Sequence, residues 1–232
     1  MTEAPALPGT HVRWRNWAGN ERALAEVVQP GSVGEVAEVL TTAAAAGRRV
    51  RPIGSGHSFT GIGRPEDIQL ACTGLSGTIE VSDDGLVTVG AGMPLHRLNA
   101  ELVRRGWSLT NLGDIDRQTI AGALATGTHG TGAEFGGLAT QVRGLQLVTP
   151  SGEVLDCDAT RHPEVFSAAR IALGALGVVT AVTLQAVPAF ALRAVEGPGT
   201  LTAAIEGFDE LMTGTDHVEF YWFPHTDVTL LK

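Results

Sequence analysis

The sequence has few basic residues, few aromatics and almost no sulfur. Sixteen Lys and Arg stand against 25 Asp and Glu, for a net charge of −9. That balance argues against nucleic acid or an anionic membrane surface as the main partner, since either needs a basic patch. The two cysteines, Cys72 and Cys157, are too few and too far apart for a disulfide framework or a zinc ribbon, and read as reduced core thiols. His11, His96, His162, His217 and His225 show no metal-ligand spacing. No stretch approaches the ~18 uninterrupted apolar residues of a membrane span. The start of the chain lacks the basic and apolar regions of a secretory leader, so a cytoplasmic protein is expected. No repeat or low-complexity linker is present. What remains, 232 residues with 44% hydrophobic and 18% charged, describes a globular chain long enough for one large domain or two small lobes.

Glycine is not scarce: the chain has 30. The segment Arg51-Pro-Ile53-Gly54-Ser55-Gly56-His57-Ser58-Phe59 places one histidine directly after a Gly-Ser-Gly turn. Glycines there let the backbone approach a ligand, and successive N–H groups can converge on a phosphate, which makes a dinucleotide the first ligand to consider. Taken alone, the loop is read more economically as a strand-to-loop turn with a surface histidine. A second segment of the same character, Gln118-Thr119-Ile-Ala-Gly122-Ala-Leu-Ala-Thr-Gly127-Thr128-His129-Gly130-Thr-Gly132, lies far away in sequence. A third, Leu173-Gly174-Ala-Leu-Gly177-Val178-Val179, enters a strand. Together they suggest one extended ligand embraced by several backbone segments.

The elements between them are readable. Ser32-Val-Gly-Glu35 is a capping box opening a helix whose Val36, Val39, Leu40 and Ala43 share a face, with Gly47 as its stop. Residues 79–81 and 86–89 read as a hairpin around Ser82-Asp-Asp-Gly85. Pro94 begins a helix with Leu95, Leu98 and Leu102 on one side. Residues 142–149 and 153–157 form a second hairpin. A helix from Pro163 through Ile171 and a strand over residues 177–187 follow. The order gives two small α+β lobes with the glycine segments facing their junction, a usual place for a cofactor.

Read in order, Trp14-Arg-Asn-Trp17-Ala-Gly19, Gln29-Pro-Gly-Ser32, Gly54 to Phe59, Gly90-Ala-Gly92, Asn111-Leu-Gly-Asp114, Gln118 to Gly132 and Gly174 to Val178 resemble the vanillyl-alcohol-oxidase-type FAD-binding domain, also called PCMH-type. The match is to its aldonolactone oxidase branch, the gulonolactone, arabinonolactone and alditol oxidases. The resemblance implies an α+β fold: an N-terminal segment over residues 1–22, a two-lobed FAD-binding domain over 23–190 with its lobes meeting near residues 75–76, and over 191–232 a linker with only the first strand of a truncated substrate-capping domain.

It also implies roles. Backbone groups of Ile53, Gly54, Ser55, Gly56, His57, Ser58 and Phe59 would hold FAD, with His57 bonded covalently to the flavin 8α-methyl carbon. Thr119, Gly122, Gly127, Thr128, His129 and Gly130 would line the cofactor, with His129 in a packing or hydrogen-bonding role. Thr119 would also contact substrate, although a helix N-cap explains a threonine there equally well. Gly177 and Val178 would meet the adenosine half, with a plain core position as the other reading of Val178. Independently of the resemblance, Trp14 and Trp17 can be read as a stacking pair, but read better as wedges packing the N-terminus onto the fold. Bicovalent relatives carry a cysteine in the second glycine segment; none stands there here, which favours a single histidyl link.

The implied reaction moves hydride from a CH–OH group of a sugar lactone or polyol to flavin N5, and electrons onward to O₂, giving H₂O₂. No catalytic residue of that reaction is expected within this chain, because the family places those groups in its capping domain. The apolar run from Val218 to Phe223 would have no sheet to join. The chain is therefore expected to bind FAD and to need a second polypeptide, or a missing C-terminal half, to oxidise sugar lactones. A flavin-binding electron-transfer subunit, an inactive fragment and a noncovalent NADPH-dependent flavin reductase remain as other readings.

Overall fold

A computed structural model describes residues 10–77 and 79–232. Residues 1–9, on which the absence of a leader was read and which begin the expected N-terminal segment, lie outside the described residues.

The first lobe is a four-stranded sheet. Strands β1 (Thr10–Arg15) and β2 (Arg22–Val28) pair antiparallel across a tight turn. Helix α1 (Val33–Ala45) then crosses over to β3 (Val50–Ile53), and β4 (Ile68–Ala71) inserts parallel between β2 and β3. The capping box forms as the spacing requires: Ser32 Oγ accepts from the Glu35 N–H at 3.2 Å, and the Glu35 carboxylate accepts from the Gly31 N–H at 2.9 Å. Gly47 ends the helix with φ +64°. Val36, Val39, Leu40 and Ala43 of α1 pack on Ile68 and Leu70 of β4. Burying each larger aliphatic side chain contributes about 1.5–3 kcal/mol.

The second lobe is an antiparallel five-stranded sheet in the order β5-β6-β10-β8-β9. Its strands are β5 (Glu80–Val81), β6 (Leu86–Gly90), β8 (Val142–Val148), β9 (Val154–Asp158) and β10 (Val178–Gln185). Helices α2 (Leu95–Arg104), α3 (Ile120–Ala125) and α4 (Pro163–Ala169) belong to this part of the chain. The fully buried Leu95, Leu98 and Leu102 place α2 in the second core with Ile120, Leu124 and Phe166. Val148 and Val178 pair at the end of the β8–β10 ladder and pack into the first core, which joins the lobes.

Three expectations are corrected. Helix α4 stops at Ala169, because residues 170–177 turn tightly with Leu173, Gly174 and Gly177 all at positive φ; Ile171 is left outside, 55% exposed. The long strand ends at Gln185, and β11 (Val187–Pro188) instead pairs with β7 (Trp107–Ser108). The run at Val218–Phe223 does find a sheet. Strand β13 (Phe220–Trp222) pairs with β14 (Val228–Leu231), which pairs with β12 (Gly197–Thr200), so three strands stand where one was expected. Helices α5 (Leu201–Glu206) and α6 (Phe208–Gly214) connect them. The reason is local: the turn after Trp222 returns the chain on itself, so β13 needs no distant partner.

Candidate functional site

The loop after β3 is fixed from outside by the β1–β2 turn. Asn16, only 2% exposed, donates through Nδ2 to Ser58 O at 2.9 Å and to Asn20 Oδ1 at 2.7 Å, while its Oδ1 accepts from the Glu21 N–H. The Trp17 N–H donates to Gly56 O at 2.8 Å, and Asn20 Nδ2 to Phe59 O at 2.8 Å. From the other side Ser55 Oγ donates to Arg117 O at 2.7 Å, linking the first glycine loop to the start of the second segment.

Between this loop, α3, the turns after α4 and one face of β8 and β10 lies a cleft holding about 1170 Å³ of space counted to its open mouth. Ile53, Gly54, Ser55, Gly56, His57, Ser58, Thr119, Gly122 and Gly177 all line it. The sequence also missed part of the wall. Leu145, Leu147 and Val179 come from the cleft-facing side of the second sheet, and Arg51, Trp14 and Gln118 flank the loop. Arg51 joins none of the described ion pairs.

The remaining residues named from the sequence stand elsewhere, each for a packing reason. Gly127, at φ +67°, closes α3, and its N–H donates to Leu124 O. Thr128 Oγ1 bonds the Gln118 side-chain amide. Exposed His129 is held by its own neighbour, Nδ1 lying 2.9 Å from Gly130 O. Gly130 must be glycine because a Cβ would sit 2.2 Å from both Asn111 Oδ1 and Leu112 O. Phe59 points outward, 65% exposed, and Val178 is a core residue whose neighbour Val179 faces the cleft. Trp17 is no wedge: 65% exposed, it stacks on His57, not on Trp14, with ring centroids 5.6 Å apart and planes 17° from parallel.

The cleft suits a long anionic ligand at the loop, not at the helix. Among the described residues, none accepts a hydrogen bond from the N–H groups of Ser55, Gly56, His57 and Ser58, and Gly56 at φ +68° supplies the positive-φ residue that an anion-binding nest requires. By contrast, the first N–H groups of α3 are spent: Ile120 N donates to Met93 O, Ala121 N to Ala91 O and Gly122 N to Thr119 Oγ1. Thr119 therefore caps the helix and lines the cleft at once. Two glycines make the approach possible. A Cβ on Gly54 would fall 2.1 Å from Thr119 Oγ1, and one on Gly177 2.2 Å from Val148 O. Cys72, also on the wall, is inert, since burial pushes its thiol up to about 11 against the lowering pull of the Ile53 N–H.

The C-terminal sheet docks on the second glycine segment. His217 stacks on Phe135 at 4.9 Å and places Nδ1 3.0 Å from Thr131 O, and the Tyr221 hydroxyl donates to Asp114 Oδ2 at 3.2 Å. No described helix is long and apolar enough to cross a membrane.

A family model described as FAD binding domain matches residues 24–158, and one described as D-arabinono-1,4-lactone oxidase matches residues 182–232. L-gulono-1,4-lactone dehydrogenase of Mycobacterium tuberculosis is 43% identical over 94% of this chain and 51% of that protein. L-gulonolactone oxidase of Bos taurus is 38% identical over 93% of this chain and 50% of that protein. D-arabinono-1,4-lactone oxidase of Eremothecium gossypii is 32% identical over 96% and 43%. The chain thus spans about half the length of the curated relatives it matches. In fold it is similar to cholesterol oxidase from B. sterolicum, with a TM-score of 0.83 over the whole of this chain and 50% of that one, at 21% identity.

Proposed function

The chain belongs to the FAD-binding-domain family, and from that premise we propose that it forms the flavin-holding half of a sugar-lactone or polyol oxidoreductase, with FAD seated in the cleft between its lobes. The observation that carries the reading is the run of unspent N–H groups at Ser55–Ser58, four residues that all line the cleft between the lobes.

In this reading the nest hydrogen-bonds the pyrophosphate and Arg51 offsets its charge. Leu145, Leu147 and Val179 exclude water from the ring surfaces. FAD held there would supply a hydride acceptor at N5, with O₂ as the electron acceptor in this reading. His57, on the cleft wall, offers a ring nitrogen as the nucleophile for a covalent link to the flavin. Thr119 Oγ1, already accepting from the Gly122 N–H, has its hydroxyl proton free to donate to a substrate oxygen. Residues 191–232 would begin a substrate-capping unit, completed by further polypeptide.

Acid precipitation of the purified chain tests the link. Flavin absorbance should stay with the precipitate, and His57→Ala should release it while still binding FAD in the native state. Complete release from the wild-type chain overturns the covalent link and leaves reversible binding standing.

A further inference from the structure

We infer that Trp17 is a positioning residue for His57: its indole holds the imidazole with one edge toward the cleft and so governs how fast that histidine becomes bonded to flavin. The inference rests on the reading of His57 as the flavin attachment point and deepens it.

The geometry separates the two residues by role. His57 lines the cleft and Trp17 does not. Its contact is a near-parallel, offset stack, at 5.6 Å and 17°. The lone pair of an imidazole nitrogen lies in the ring plane, so a partner on the face restricts ring rotation without covering the nucleophilic edge. Among the described residues the His57 ring makes no hydrogen bond, which leaves this stack to set its orientation. Trp17 is itself held: its N–H donates to Gly56 O, buried Asn16 grips Ser58 O beside it, and the Phe59 ring meets it edge-on at 5.8 Å. An indole left 65% exposed gains little from burial, so its packing is spent on these two rings.

The step it would govern balances. A bond forms between an imidazole nitrogen and the 8α carbon, one C–H bond of that methyl group and the imidazole N–H are lost, and the two protons and two electrons leave to O₂ as H₂O₂.

The test follows acid-stable flavin with time after FAD is added, in air, to flavin-free wild-type, Trp17→Ala, Trp17→Phe and His57→Ala chains, with reversible FAD affinity and melting temperature measured alongside. Trp17→Ala should attach flavin roughly two- to tenfold more slowly, the range that a stacked aromatic pair contributes. Its melting temperature and reversible affinity should stay near wild type, and Trp17→Phe should restore most of the rate. Attachment by Trp17→Ala at the wild-type rate overturns the inference while leaving the His57 link intact. A Trp17→Ala chain that loses reversible FAD binding makes the indole a binding group and overturns the positioning role. A wild-type chain that never becomes acid-stable overturns the His57 reading and this inference with it, even where reversible binding persists.

Discussion

Gly54 and Thr119 come from different lobes and touch: a Cβ added to Gly54 would sit 2.1 Å from the Thr119 hydroxyl oxygen. The contact sets the spacing between the nest-bearing loop and the start of α3. Gly54→Ala must push the two apart or rotate the threonine out of its cap, at a cost of about 1–3 kcal/mol. We expect a lower melting temperature and weaker FAD binding together. Gly197→Ala, away from the cleft and with open space around its Cβ, should change neither.

Asn16 holds the same loop from behind. Asn16→Ala leaves Ser58 O and the Glu21 N–H without their side-chain partner, a loss of about 1–3 kcal/mol for groups this poorly solvated. Denaturant unfolding should show that loss. FAD affinity should also fall, because the nest is no longer held in shape.

Thr119 serves two roles that substitution can separate. Thr119→Ser keeps the oxygen that caps α3 and should preserve stability. Thr119→Val keeps the shape but not the cap, and should cost ~1 kcal/mol in a thermal melt. Equal FAD binding by the serine variant and the wild type would agree with the hydroxyl as the working group.

Tyr221 is the chain's one tyrosine, so its phenolate absorbance reports that site alone. Its hydrogen bond to the Asp114 carboxylate, aided by the nearby Glu219 charge, raises the phenol above its usual range, while Lys232 pulls it down. A raised folded-state value means that docking of the C-terminal sheet is supported below about pH 10 and weakens as pH rises through the folded value. Spectrophotometric titration should show late ionisation in the native chain, and Asp114→Asn should bring it back toward the unfolded value.

Much of the fold was legible because local chemistry and tertiary packing agree. The Ser32–Glu35 capping box, the Asp-Asp-Gly85 turn and the Leu95, Leu98, Leu102 stripe each point to one structure and form it. The first glycine loop was legible for the same reason. In the second segment, Gly127 and Gly130 have packing reasons to be glycine, a helix stop and a close crossing by Asn111–Leu112, which sequence cannot tell from ligand approach. Alternation in β8 and β10 shows two faces but not which meets the other lobe, so Leu145, Leu147 and Val179 were not identifiable as cleft wall. The hold of Asn16 on Ser58 is a tertiary contact and left no local pattern. The C-terminal sheet was missed because β13 alone looks partnerless until the turn that brings β14 beside it is seen.

The most direct test of the central claim is an equilibrium titration of the His57→Ala chain with FAD, followed by quenching of flavin fluorescence, because that variant can only bind reversibly. The account predicts saturation at one FAD per chain, with affinity sharply reduced by adding Gly54→Ala. A folded chain that shows no saturable binding contradicts the flavin cleft itself.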